Sequence, residues 1–287
     1  MAFADLEDLR LFYTDDGPSG TTVPLLLVHG WGADGHEWSW HIQRLSAGRR
    51  VITPDLRGHG YSSAPAAGFH PRDMAADLLR LLDHLGIDAV VAVGHSMGAQ
   101  VVSVLAVEHP SRVRALVCVE PGYGFDGAIA AALPEMARRL GHLDADTDAG
   151  AVAVRMDEWS YTSASPSMLR QWHTRRLLAM RPHVLAEAFA AMFTGPDQFG
   201  VRPAADTYLA RRTCPVLSFW RDPDRSAWEQ GLFKDPASTT VTWPGSGHRP
   251  HEERPAEFVL VVTEWLTKLD GKLATGSRDQ DQRRGRQ

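Results

Sequence analysis

Residues 94 to 98 read Gly94-His95-Ser96-Met97-Gly98, a serine between two glycines in the pattern G-x-S-x-G. Ala89 to Gly94 has the apolar, β-branched character of a strand, and Ala99 to His109 reads as a helix stopped by Pro110. A serine at such a strand-to-helix turn has its hydroxyl pushed out at the carboxyl end of the sheet, where it can attack a carbonyl carbon. The turn is sharp, so the serine takes a strained backbone, and glycines on both sides let neighbouring main chain approach without a Cβ clash. The N-terminus of the following helix favours the negative charge that such an attack develops.

Attack by a serine needs an oxyanion site, a base and an acid to orient the base. Val28-His29-Gly30-Trp31-Gly32 supplies an accessible glycine-rich loop after an early strand. The N–H groups of Trp31 and Met97 are the expected oxyanion donors, with Gly30 beside them. The chain has 13 histidines, so position must choose the base. His248, in the loop Trp243-Pro244-Gly245-Ser246-Gly247-His248, lies after the last strand and before the last helix, and His251 is its rival. His29, His59 and His95 are read as packing or local structural groups. For the acid, Asp224 in Arg221-Asp222-Pro223-Asp224 is favoured over Asp222, and Glu120, at the end of Val117-Cys118-Val119-Glu120, is its main competitor.

These residues need a scaffold. Leu9 to Tyr13, Val23 to His29, Val51 to Pro54, Ala89 to Gly94, Val113 to Val119, Cys214 to Trp220 and Thr239 to Trp243 read as strands. Pro71 to Leu85 reads as a helix, with Pro71 in its first turn and Gly86 ending it. The alternation implies a parallel sheet with helices on both faces, an α/β fold. The rhythm breaks from about 122 to 206, a stretch rich in Ala, Leu, Met, Trp and Arg that reads as a helical insertion. The expected core is therefore 1–121 and 207–270. Residues 271–287 are polar and are expected to form a disordered tail. Candidate pocket walls are Tyr123, Met156, Trp159, Trp172, Met192 and Phe193, beside Gly30 and Trp31; most apolar residues of a helical segment are core.

Bulk composition narrows the function. With 287 residues, 44% hydrophobic, the chain can bury one large core. A net charge of −5 gives no broad electrostatic reason to bind nucleic acid. Cys118 and Cys214 sit in apolar runs and read as buried thiols. Met1 to Arg10 has no signal-peptide character, and the apolar runs are too short to cross a bilayer, so a soluble cytoplasmic protein is the default expectation. The histidines show no metal-ligand spacing, so neither a metal nor an organic cofactor is expected.

The blocks His29-Gly30-Trp31-Gly32, Asp55-Leu56-Arg57-Gly58-His59-Gly60-Tyr61-Ser62, Gly94-His95-Ser96-Met97-Gly98 and Gly247-His248, in this order, resemble the α/β-hydrolase superfamily from about Leu9 to Leu269. Within it the chain looks like bacterial serine esterases, lactonases and cofactor-free haloperoxidase-like perhydrolases. The resemblance implies a mostly parallel eight-stranded sheet, the segment 122–206 as a helical cap, and a small ester or lactone as substrate, cleaved by a monomer or homodimer. Carbon–carbon bond hydrolysis, perhydrolysis and slow-turnover ligand reception are the alternatives the superfamily offers. Two details bear on the acid: Arg221 stands where many relatives have glycine, and the Ser96-to-Glu120 spacing is similar to that of zearalenone-type lactonases. Haloalkane dehalogenases and epoxide hydrolases of this fold carry aspartate where this chain has Ser96, so an acyl-enzyme is the intermediate implied.

Overall fold

A computed structural model describes residues 1–20, 22–141, 149–163 and 165–284, with side chains described to residue 271 (149 excepted). Eight strands form one sheet among these residues: β1 (Ala2–Leu6), β2 (Leu9–Asp16), β3 (Leu25–Val28), β4 (Val51–Pro54), β5 (Val90–His95), β6 (Val113–Val119), β7 (Val216–Trp220) and β8 (Thr239–Thr242). Their order in space is β1-β2-β4-β3-β5-β6-β7-β8. β1 and β2, and β2 and β4, pair antiparallel; the other pairs are parallel. β1 was not among the expected strands. It is a short edge strand whose Ala4 and Leu6 are buried while Phe3 and Asp5 are exposed.

The central strands are apolar throughout because both faces are covered. Leu26, Val28, Ala92, Leu116 and Cys118 face one core, while Leu25, Leu27, Val91, Val93, Val117 and Val119 face the other, the two-residue alternation of a pleated strand. On the first side pack α2 (Pro71–His84) and α3 (Met97–Glu108); on the second pack α1 (Ser39–Leu45), preceded by a 3-10 turn at Gly35–Trp38, and the final helix. α2 begins with Pro71 at its first position, as its sequence predicts, under a cap from His70 and Asp73.

Between β6 and β7 the described chain is helical: α4 (Gly127–Gly141), α5 (Ala149–Asp157), a 3-10 turn at Glu158–Ser160, α6 (Ser167–Ala179), α7 (Pro182–Phe193) and α8 (Ala204–Leu209). After β7 come α9 (Pro223–Gln230), then, beyond β8, α10 (Pro250–Glu253) and α11 (Pro255–Arg284). α11 continues through 271–284, where the sequence reading expected disorder; residues 285–287 of that tail lie outside the described ones. Lys, Arg and Gln are good helix formers, and extending a packed helix avoids the cost of starting a new one. No helix among the described residues is long and apolar enough to cross a membrane.

Candidate active site

Ser96 closes β5 and caps α3 with φ 49° and ψ −112°, a left-handed backbone that a non-glycine residue adopts at a cost of about 1–3 kcal/mol. The flanking glycines make that turn possible. A Cβ on Gly98 would stand 2.3 Å from the Val28 carbonyl oxygen, and one on Gly94 would stand 2.4 Å from the oxygen of Gly98. Gly30 is also forced: its Cβ would lie 2.7 Å from Nδ1 of His95 and 3.4 Å from Cβ of Ser96. The loop after β3 therefore presses directly on the nucleophile turn.

The Ser96 hydroxyl faces Nε2 of His248 at 2.9 Å. Nδ1 of the same ring faces Oε2 of Glu120 at 3.4 Å. Glu120 follows β6, which runs beside β5 with His95 opposite Val119, so Ser96 and Glu120 leave the sheet as neighbours. The Ser96 N–H donates to the Val119 carbonyl, and the Gly122 N–H donates back to Ser96 O. With a carboxylate on Nδ1, the ring carries its proton there and presents Nε2 as an acceptor. Burial pushes the His248 ring well below its ordinary value of 6.5, and the nearby charges of His95, Arg249, Arg221 and Arg225 push the same way. Burial raises the Glu120 carboxyl, against the opposing guanidinium groups of Arg221 and Arg225.

The favoured acid, Asp224, is displaced from this arrangement. Asp222 caps α9 by accepting N–H bonds from Asp224 and Arg225, which leaves Asp224 exposed in the first helical turn. The residue after β7 that does reach the site is Arg221. Its N–H donates to Glu120 at 2.5 Å, and its guanidinium lies 3.3 Å from the same carboxylate. His251 lies behind the site, 3.2 Å from Glu37.

Met97 is the first residue of α3, so its N–H has no acceptor within the helix. Trp31 is held by its ring: Nε1 donates to the Leu185 carbonyl of α7 at 3.0 Å, and the indole packs edge-on against Phe189. Trp31 and Met97 follow Gly30 and Ser96 directly in the chain, and Gly30 packs against Ser96.

The pocket candidates divide. Trp159, 48% exposed, places its ring 4.5 Å from that of His248, with the Arg221 guanidinium over the Trp159 ring at 4.8 Å. Phe193 packs on Phe189, next to Trp31. Met192 is buried in the main core, and Met156 packs against that core. Tyr123 is fully buried and its hydroxyl donates to Glu229 at 2.6 Å, in a cluster with Arg212 and Trp220; it is a core residue because that carboxylate needs its donors. Trp172 stacks on Trp40 at 5.9 Å and lies beside His36, over α1 rather than the serine.

His29 and His59 are buried, with burial pushing them down to about 4 and about 3. His29 accepts the Leu56 N–H through Nε2, a structural bond. Other groups were not foreseen. Glu37, His95 and His251 converge, fully or nearly fully buried, with ligand-type atoms within 4.8 Å of one another. Arg249, next to the candidate base, makes a two-pronged contact with Asp157 of α5, and His173 of α6 meets Glu252 of α10. A buried acid and several histidines next to motif residues were visible signals, but their partners lie far away in sequence.

Residues 23–152 match the family model for the alpha/beta hydrolase fold. The chain is 39% identical over 127 residues to the dihydrolipoyllysine-residue acetyltransferase component of the acetoin cleaving system of Cupriavidus necator, a match covering 44% of this chain and 33% of that one. It spans less than half the length of the first three curated relatives it matches. It is 33% identical over 275 residues to a Pseudomonas 2-hydroxymuconate semialdehyde hydrolase, covering 88% of this chain and 89% of the relative. The solved structure of a thermophilic esterase from Thermogutta terrifontis superposes with a TM-score of 0.76 at 26% identity, covering 91% of this chain and 94% of that one.

Proposed function

This chain belongs to the α/β-hydrolase superfamily, and on that premise we propose that it cleaves a small carboxylic ester or lactone through an acyl-enzyme on Ser96. The observation that carries the reading is the line from Ser96 Oγ through His248 to Glu120, at 2.9 and 3.4 Å, on a serine held in a left-handed backbone. Likeness to the esterase supports it. Both sheet-end positions agree with a hydrolase; the choice of bond is what the proposal adds.

In this mechanism His248 Nε2 takes the Ser96 proton as Oγ bonds to the carbonyl carbon. The carbonyl π electrons move to oxygen, which the N–H groups of Trp31 and Met97 stabilise. Collapse breaks the bond to the leaving alcohol, which receives the proton from His248. Water then gives His248 a proton, attacks the acyl carbon, and releases the acid as Ser96 regains its hydrogen. Glu120 holds the Nδ1–H tautomer and stabilises the imidazolium. The helices between β6 and β7 act as a cap, with Trp159, Trp31, Phe189 and Phe193 offering aromatic walls to the acyl or alcohol group.

A second reading keeps the same residues and cleaves a carbon–carbon bond next to a carbonyl. The similarity to the 2-hydroxymuconate semialdehyde hydrolase, whose named substrate contains no ester, favours it. Hydrolysis of an activated aryl ester by the purified protein, with Ser96→Ala and His248→Ala beside it, tests the proposal. Turnover that disappears in both variants supports acyl transfer. Turnover surviving Ser96→Ala rejects it, and turnover restricted to a vinylogous diketone moves the second reading forward.

A further inference from the structure

Glu37 stands in the 3-10 turn Gly35–Trp38, fully buried, and its carboxylate touches three parts of the site at once. Oε2 accepts the N–H of Gly30, the residue before the oxyanion donor Trp31, at 3.1 Å. Oε1 lies 2.8 Å from Nδ1 of His95, the neighbour of Ser96, and 3.2 Å from Nε2 of His251. The other nitrogen of His95 lies 2.9 Å from the backbone carbonyl of His248. His41 donates from Nε2 to the carbonyl of His251 behind them, which ties α1 to the same cluster.

We propose that Glu37 is a positioning residue for acyl transfer, holding the oxyanion loop, the nucleophile turn and the base loop on one buried carboxylate. This rests on the serine-hydrolase reading above. Although burial alone would raise the Glu37 carboxyl, the two histidines hold it well below the ordinary carboxylate range. Burial pushes His251 down to about 4, so it stays neutral and donates to Glu37.

The groups facing His95 come from every element packed on it. They are Glu37 from the 3-10 turn, His29 from the end of β3, Glu120 from the end of β6, His248 from the loop after β8, and His251 from α10. The rings of His95 and His248 are 4.9 Å apart, and His95 also meets the His248 carbonyl, so a displaced Glu37 is felt at the base through His95.

The test is steady-state kinetics of the full chain on an activated aryl ester. Glu37→Gln is expected to lower kcat by about 10- to 100-fold through misplaced groups, with KM within about twofold. Glu37→Asp, which keeps a carboxylate, is expected to recover part of that loss. A Glu37→Gln enzyme with unchanged kcat overturns the proposal, as does a loss that appears in KM alone. Activity abolished by a chelator and restored by zinc overturns it too, since the trio would then be a metal site. Ser96→Ala runs in the same assay: turnover that survives it means that the serine-hydrolase reading has failed, whereas turnover lost there but unchanged in Glu37→Gln means that the positioning proposal has.

Discussion

Oε2 of Glu120 lies 3.4 Å from Nδ1 of His248, and it stands there because β6 pairs in parallel with β5 up to His95 and Val119. The carboxylate that faces His248 thus comes from the strand next to the one that leads into Ser96. The position after β7 is taken by Arg221, which donates to that acid instead of replacing it.

Glu120→Gln is therefore expected to lower kcat on an aryl ester by about 10^3- to 10^4-fold, since an amide on Nδ1 no longer favours the productive tautomer. Asp224→Asn is expected to stay within about twofold, as a change at an exposed site away from the reacting groups. Steady-state kinetics on both variants decides; equal losses would mean that neither carboxylate has the assigned role.

The base should work in mildly acidic solution. His248 must be neutral to accept the serine proton, and burial with nearby cations pushes its ring well below 6.5. The rate is retained as pH falls past the ordinary imidazole range and is lost only as pH drops through the lowered value. A kcat/KM profile over pH should show its acid limb below 6.5; a limb above that value would contradict the buried, cation-flanked ring.

Gly98→Ala is expected to destabilise the fold by about 1–3 kcal/mol or more, because the added methyl would stand 2.3 Å from the oxygen of Val28 and 2.6 Å from that of His29. Backbone on both sides cannot rotate away as a side chain could. Urea unfolding monitored by fluorescence would register the loss as a lower midpoint. Gly86→Ala has open space but a positive φ of 62°, so it should cost less, through backbone strain alone.

Asp157 and Arg249 join α5 to the base loop, and the His248 N–H donates to the carbonyl of Ser160 just beyond. Asp157→Asn leaves the buried Arg249 guanidinium with only the Glu252 carboxylate, 3.8 Å away, at a cost of about 1–3 kcal/mol. Burial alone would raise the Asp157 carboxyl, but Arg249 holds it below its ordinary value of 3.8. A carboxyl lowered on folding stabilises the protein above that value, and the contribution fades as pH falls through the folded one. Thermal unfolding across acidic pH should show this slope in the wild type and a shallower one in Asp157→Asn.

Trp159 is half-exposed beside the His248 ring, on the turn that follows α5. Trp159→Ala is expected to raise KM for bulky aryl esters by about 10-fold, since burying one aromatic group against a substrate is worth on the order of 1–3 kcal/mol. Small acetate esters should respond less. The same rise for both would remove Trp159 from the substrate wall.

What the sequence alone determined was everything local. The strand before Ser96, the helix after it and the two glycines that permit the turn lie within ten residues, so residue types and spacing carry the nucleophile and its geometry. The apolar runs of β3, β5 and β6 announce a sheet buried on both faces, and the gap between β6 and β7 announces its helices. His248 is marked by its place between the last strand and the last helix. Tertiary structure alone placed Glu120 rather than Asp224 beside His248, because both follow strands and only the sheet order, with β6 adjoining β5, brings one carboxylate to the histidine. It also placed Tyr123 against Glu229 and Trp172 against Trp40, since an aromatic residue looks the same in sequence whether it meets a substrate or a buried glutamate. The Glu37–His95–His251 cluster was invisible for the same reason. Glu37 and His251 are separated by 214 residues, and no local pattern encodes that the folded chain will lay three such side chains behind one serine.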